Sequence, residues 1–280
     1  MKRKIIISAL ALILLACLLP GAMLAADNGD GSGAGEANAW DISAAGDGSV
    51  LAYYEGDTIT ITGDGAMKNY DRAYRGANDG SGVSRKVWAP WIDRSTGAPF
   101  REFKHVVIEP GVTTIGTYAF SGMYDLESVV IPEGVTSIGS NAFINCKALK
   151  QVDLPASFGT IGEYRNVRIH ARDPFEECDS LEKITIADGN TAFKLDDQGI
   201  ALLGADGTKL IAYPAAYPID SYTIPDGVTE LDYGAFSSAK VQHVTAPESL
   251  KKIGDWCFSY TKIHSLTLPN KVTHGRWRRL

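Results

Sequence analysis

The stretch His105-Val-Val-Ile-Glu-Pro-Gly-Val-Thr-Thr-Ile-Gly-Thr-Tyr-Ala-Phe120 is followed by Ser128-Val-Val-Ile-Pro-Glu-Gly-Val-Thr-Ser-Ile-Gly-Ser-Asn-Ala-Phe143. Val112 returns as Val135, Ile115 as Ile138 and Phe120 as Phe143, each 23 residues later. A fixed period of this length marks a solenoid, in which one unit is too small to bury its own apolar face and needs neighbours to cover it.

The apolar residues of one unit also show how its side chains point. In Val106-Val107-Ile108 the first and third residues share one face of a short strand, because successive strand side chains point to opposite sides. Val112 and Ile115 lie beyond a Pro-Gly turn, and Gly116 lets the chain bend towards Ala119-Phe120. Followed down the chain, one inward column reads Ile108, Ile131, Leu154, Ile186, Ile224, Ala246, Leu268. A second reads Phe120, Phe143, Phe175, Phe236, Phe258, with spacings of 23, 32, 61 and 22 residues, so the repeat is interrupted rather than lost.

The interruptions are themselves legible. From Ile161 to Phe175 is nine residues longer than from Ile138 to Phe143, which places an insertion at about 163–172, basic for its length. Such insertions lie on one face of a repeat stack and can carry recognition. A second insertion, at about 195–217, holds Gly199-Ile-Ala-Leu-Leu203 and Lys209-Leu-Ile-Ala-Tyr213 around Gly204-Ala-Asp-Gly207, a hairpin by its turn chemistry. The repeats are thus expected over 104–280, and the segment after Leu268-Pro269 leaves the pattern, with Gly275 where an isoleucine belongs.

Ahead of the repeats, residues 40–103 lack the period and are rich in aromatics. Ser49 to Thr62 reads as a β-hairpin turning at Glu55-Gly56-Asp57. Tyr53, Tyr70, Tyr74, Trp88 and Trp91 admit two readings: an N-terminal plug over the first coil's exposed core, or a platform on which sugars stack. Residues 26–39 have the Gly- and Asp-rich composition of a flexible linker. Its aspartates miss the ligand spacing of a calcium loop, and no strand precedes its glycines as a nucleotide loop would require.

Residues 1–25 combine Lys2-Arg3-Lys4, an apolar run from Ile5 to Leu19 and a small-residue zone near Ala25, the pattern of a secretory signal peptide. Leu14-Leu15-Ala16-Cys17 also resembles a lipobox, which would put a lipid anchor on Cys17. Loss of residues 1–25 removes three positive charges and takes the net charge from −6 to −9, a poor match to nucleic acid or anionic membrane. Cys146 and Cys178 each follow a column phenylalanine by three residues; stacked coils would allow a bridge, or two buried thiols.

No metal or cofactor chemistry is implied. The five histidines show no metal-ligand spacing, there is no Cys-x-x-Cys, and no Gly-x-Ser-x-Gly elbow is present. Carboxylates brought together only in space could still hydrolyse a glycan, which sequence spacing does not reveal. A binding surface is more directly visible. Alternating with the inward strand residues are two outward columns: His105, Ser128, Gln151, Lys183, Ser221, His243, Ser265, and Val107, Val130, Asp153, Thr185, Thr223, Thr245, Thr267. Within this ladder His105, Gln151, Asp153, Lys183, Thr185, Thr223, His243 and Thr245 are the candidate contacts for a protein partner.

The repeated form Val-x-Ile-Pro-x-Gly-Val-Thr-x-Ile-Gly-x-x-Ala-Phe-x-x-Cys-x-x-Leu, best matched at Val129 to Leu149 and Tyr222 to Phe236, resembles the BspA-like leucine-rich repeats of bacterial surface proteins. Asp64-Gly-Ala-Met-Lys-Asn-Tyr70 and Pro90-Trp91 are similar to the non-repeat segment that often precedes them. The resemblance implies a mostly β, or α+β, right-handed solenoid with an N-terminal β-rich cap. It also implies a cell-surface or secreted adhesion or recognition module without catalytic residues, binding host or bacterial proteins. The alternative is a carbohydrate-binding module using the aromatic segment.

Overall fold

The computed structural model describes residues 39–71, 87–93, 95–161 and 173–274. The signal-peptide segment with Cys17, nearly all of the linker, Tyr74 and the insertion at 163–172 lie outside the described residues. Among the described residues twenty strands follow one another. The first four are β1 (Trp40–Asp41), β2 (Val50–Glu55), β3 (Thr58–Gly63) and β4 (Gly65–Ala66). Then come β5 (His105–Ile108), β6 (Val112–Ile115), β7 (Ser128–Val130), β8 (Ser137–Ile138), β9 (Gln151–Leu154), β10 (Thr160–Ile161) and β11 (Lys183–Ile186). The second insertion gives β12 (Phe193–Leu195), β13 (Leu202–Gly204) and β14 (Lys209–Ala212). The chain closes with β15 (Ser221–Thr223), β16 (Glu230–Leu231), β17 (His243–Thr245), β18 (Lys252–Ile253), β19 (Ser265–Thr267) and β20 (Thr273–His274). The architecture is all strand: no helix occurs among the described residues, so the α component of the expectation has no counterpart there.

Each coil contributes one strand to each of two walls, because its two apolar pairs are separated by a turn. The first wall holds β1-β2-β3-β5-β7, then β9-β11, then β15-β17-β19; the second holds β4-β6-β8-β10, then β12-β13-β14-β16-β18-β20. From β5 onward, outside β12–β14, paired coils run in parallel at the register the period predicts, Val106 on Val129 and Ile115 on Ile138. Inward residues Val106, Ile108, Val112, Ile115 and Phe120 are all buried, as are most of their counterparts in later coils up to Phe258, with Ile161, Ile186 and Ala246 half-buried. Burying a side chain of this size stabilises by about 1.5–3 kcal/mol, which every coil repeats.

After the second wall the chain returns through an aromatic stack. Phe120, Phe143 and Phe175 follow one another at centroid separations of 5.2 and 5.9 Å with nearly parallel rings. This turn is built from left-handed backbone on both sides of the phenylalanine. Two residues before it stand Tyr118, Asn141, Gly234 and Trp256, and two residues after it Gly122, Asn145, Glu177, Ser238 and Tyr260, all with positive φ between 53° and 75°. Glycine fills the position without steric cost in one coil while tyrosine or tryptophan pays for it in another.

Gly116 has a different reason to be glycine. A Cβ there would lie 1.8 Å from the Lys68 carbonyl oxygen, and one on Gly139 would lie 2.3 Å from the Thr117 amide. At this point successive backbones touch, so the residue after the second-wall isoleucines Ile115, Ile138 and Ile253 carries no side chain. Asp232 occupies the equivalent place, because the preceding coil runs from Leu210 to Tyr213 in three residues instead of five and leaves it room. Its carboxylate uses that room to meet Lys209 Nζ at 2.9 Å.

The second insertion does more than protrude. Its strands β13 and β14 form the expected hairpin about Gly204–Gly207, and β12 pairs with the other side of β13 as a third antiparallel strand. This meander divides the interior. Leu202, Ile211 and Ala212 belong to the core of the first coils, whereas Leu203, Leu210 and Tyr213 belong to that of the last ones. The 61-residue gap in the phenylalanine column is thereby filled: Tyr213 stacks on Phe236 at 4.9 Å, and Phe236 on Phe258 at 5.3 Å.

Cys146, Cys178 and Cys257 are free and buried. The Cys146 thiol donates to the Phe120 carbonyl and the Cys178 thiol to the Phe143 carbonyl, each at 3.2 Å, so both satisfy a carbonyl of the preceding coil rather than bridging. Burial pushes their thiols well above the usual range, which leaves little thiolate for chemistry.

Candidate recognition face

The outward side of the first wall is built by strand alternation. In β5 and β7, Val106 and Val129 point in, so His105, Val107, Ser128 and Val130 point out. Register then aligns them: His105 lies on Ser128 and Val107 on Val130; Gln151 lies on Lys183 and Asp153 on Thr185. Beyond the second insertion Ser221, His243 and Ser265 form one row and Thr223, Thr245 and Thr267 the other.

Hydrogen bonds fix these side chains across strands. His105 Nδ1 lies 2.8 Å from Ser128 Oγ, and His243 Nδ1 the same distance from Ser265 Oγ, one motif used at two places. Asp153 accepts from Gln151 Nε2 at 2.7 Å and from the Thr185 hydroxyl. The groups offered to a partner are therefore already oriented, which lowers the ordering cost of binding.

Two features depart from the ladder read in the sequence. It is not continuous: β7 and β9 lie side by side without ladder hydrogen bonds, and β11 and β15 do not pair, so Lys183 and Thr185 are separated from Ser221, Thr223, His243 and Thr245. The physical reason for the break between β11 and β15 is the turn after β12. Asp196 accepts from the Tyr222 hydroxyl at 2.5 Å and Gln198 Nε2 donates to the Thr223 carbonyl at 2.9 Å, so this turn, rather than β11, bonds to β15.

The ladder is also longer at its start. β3 pairs in parallel with β5, Thr58 on His105 and Thr60 on Val107, and β2 pairs with β3, Glu55 on Thr58 and Tyr53 on Thr60. The outward rows hence begin Glu55-Thr58-His105-Ser128 and Tyr53-Thr60-Val107-Val130. Tyr53, read as part of an aromatic platform, stands in this face and is 40% exposed, close to the 45% of Val130.

The other platform candidates do not gather on a surface. Trp91 is fully buried, with its rings 5.3 Å from Phe120 and its Nε1 donating to the Ala119 carbonyl at 3.0 Å. Tyr70 is buried edge-on against Trp91, and Trp88 is half-buried against the same core. These rings pack as the first layer of the stack. No group of three or more His, Cys, Asp or Glu side chains suited to a metal ion occurs among the described residues.

The model of the BspA type leucine rich repeat region matches residues 99–194 and 212–276 in six copies. The two matched spans stop on either side of the second insertion. The crystal structure of the pneumococcal vaccine antigen PcpA is similar with a TM-score of 0.55 and 20% identity, over 80% of this chain and 69% of that one. A leucine-rich repeat protein from Eubacterium ventriosum aligns with a TM-score of 0.39 and 19% identity, over 82% of this chain and 71% of that one. At these identities the likeness bears on the fold alone. No curated protein matches the chain.

Proposed function

The chain belongs to the BspA-type leucine-rich repeat family, a bacterial surface type of repeat consistent with a protein-interaction module, and from that premise we propose that it is an exported adhesion or recognition module that binds an extracellular protein through the outward face of its first wall. One observation carries the reading: outward polar and small apolar side chains stand in register over β2, β3, β5 and β7, and again over β9 and β11, with cross-strand hydrogen bonds from His105 to Ser128 and from Thr185 to Asp153. A partner laid across them meets a surface that needs little reorganisation.

In this reading the module has no chemistry of its own and works at the cell surface or after secretion, with residues 1–25 as its export signal. Residues 40–103 serve as the N-terminal cap, and the coils wind right-handed. The presence of Trp91 and Tyr70 in the core, not on a surface, favours the protein-binding reading over the glycan-binding one.

The test is binding of the purified chain to a paired panel of extracellular-matrix proteins and polysaccharides at physiological salt. Saturable binding to a protein, lost in the Gln151→Lys, Asp153→Lys, Lys183→Glu triple variant with folding intact, is the expected result. Binding confined to glycans, or protein binding indifferent to the triple variant, overturns the proposal.

A further inference from the structure

The first wall carries a pattern that complements itself when turned over. Its outward rows run over six strands in the order β2, β3, β5, β7, β9, β11. One row reads Glu55, Thr58, His105, Ser128, Gln151, Lys183 and the other Tyr53, Thr60, Val107, Val130, Asp153, Thr185. The β7-to-β9 step follows the 23-residue period, Ser128 to Gln151 and Val130 to Asp153. The first row is acidic at one end, at Glu55, and basic at the other, at Lys183, while the second is apolar in its middle, at Val107 and Val130.

Consider a two-fold axis lying along the strand direction, midway between β5 and β7. It reverses the strand order while keeping each row in place. Glu55 then faces Lys183 of the second copy at both ends, so one operation makes two ion pairs, as an isologous contact requires. Val107 and Val130 face each other's copies across the axis and bring four valines together, with Val130 exposed and Val107 half-buried. Between these points Thr60 meets Asp153, donor to acceptor, and Thr58 meets Gln151. Glu55 and Lys183 are both exposed, and neither has an ion-pair partner among the described residues.

We propose that this face binds a second copy of the chain, forming a two-fold dimer with Glu55 opposite Lys183 and the Val107 and Val130 pairs at the axis. Six strands span about 24 Å at the usual spacing of about 4.8 Å, a small contact, so the dimer is weak and reversible. It covers the same side chains offered to an extracellular partner, so a copy and a partner compete for them. The self-association itself holds whether or not such a partner exists.

The experiment is sedimentation velocity on the purified full chain over a concentration series, with Glu55→Lys, Lys183→Glu, the double swap and Val130→Asp. The dimer is expected to weaken tenfold or more in each single variant and in Val130→Asp. The double swap, which restores Lys opposite Glu, should return it to within about threefold of the parent, an outcome that a misfolded variant cannot give. Raised salt should weaken the parent and the double swap alike. A chain that stays monomeric throughout the series, or a dimer unmoved by the single swaps, overturns the proposal. Neither outcome touches the panel binding test, which is read on the monomer.

Discussion

The Trp91 and Phe120 rings lie 5.3 Å apart and only 6° from parallel, so the tryptophan occupies the place in the column that a phenylalanine, or in one coil Tyr213, holds later in the chain. The segment before the repeats is thus stacked as a coil with the same plan: β3 stands in the first wall, β4 in the second and Trp91 in the return. Its indole also donates to the Ala119 carbonyl, so one side chain provides both the stacking layer and a backbone partner. Trp91→Ala removes both. It should lower stability by about 3–5 kcal/mol, by analogy with other buried aromatic deletions. Urea unfolding followed by tryptophan-independent far-UV circular dichroism measures this, and a loss below about 1 kcal/mol would show that the first layer carries little of the fold.

How much of this was legible depended on whether a residue kept the period. The register of β5 with β7, the buried columns and the hairpin at Gly204–Gly207 could be read from 23-residue spacing and turn residues alone. Trp91 and Tyr213 escaped because they are not phenylalanine: Tyr213 keeps the period, 23 residues before Phe236, whereas Trp91 stands 29 residues before Phe120. A signal existed nonetheless: Pro90-Trp91 repeats the form of Pro174-Phe175, and Ala212-Tyr213 that of Ala119-Phe120. The extension of the candidate face to Tyr53 and Glu55 was hidden for another reason. Alternation in β2 and β3 shows which side chains share a side, but their pairing with β5 crosses more than forty residues with no period to count. The break between β11 and β15 was equally invisible, since it depends on where Asp196 and Gln198 land after three-dimensional closure.

The glycine after Ile115, Ile138 and Ile253 tests the claim that coils touch at that point. Gly116→Ala would drive a Cβ into the Lys68 carbonyl, which belongs to backbone and cannot swing aside. A cost of about 1–3 kcal/mol or more is expected for such overpacking. Gly159→Ala is the internal control, because the nearest atom to its Cβ would be 3.8 Å away and its φ is not left-handed. Thermal unfolding of both variants decides the matter: equal melting temperatures would mean that glycine is there for the turn and not for the contact.

Tyr260 offers the reverse experiment. It is 63% exposed and holds φ at 59°, in the position where the first full coil has Gly122. Left-handed backbone costs a residue with a Cβ about 1–2 kcal/mol, and glycine returns roughly 0.4–1 kcal/mol of that by loosening the unfolded chain. Tyr260→Gly should therefore stabilise by about 0.5 kcal/mol. A destabilised variant would show that the ring makes contacts worth more than the strain, and would mark Tyr260 as a residue kept for binding.

Asp173 gives a pH dependence of defined sign. It is buried, and its carboxyl is held well above the ordinary 3.8 by that burial and by the nearby Glu176 and Asp232 carboxylates, against one stabilising hydrogen bond from the Phe175 amide at 2.8 Å. Between the unfolded and folded values the native state binds the extra proton, so unfolding free energy falls as pH rises through that window. Below the unfolded value both states are protonated and the effect vanishes. Asp173→Asn keeps an oxygen for the Phe175 amide but cannot ionise. The variant should match the parent near pH 3.5 and exceed its stability at pH 7 by on the order of 1 kcal/mol, the scale of an uncompensated buried polar group. Urea midpoints taken across this range check it. A variant less stable than the parent at pH 7 would show that the Asp173 carboxylate is ionised in the native state and paired with a cation there.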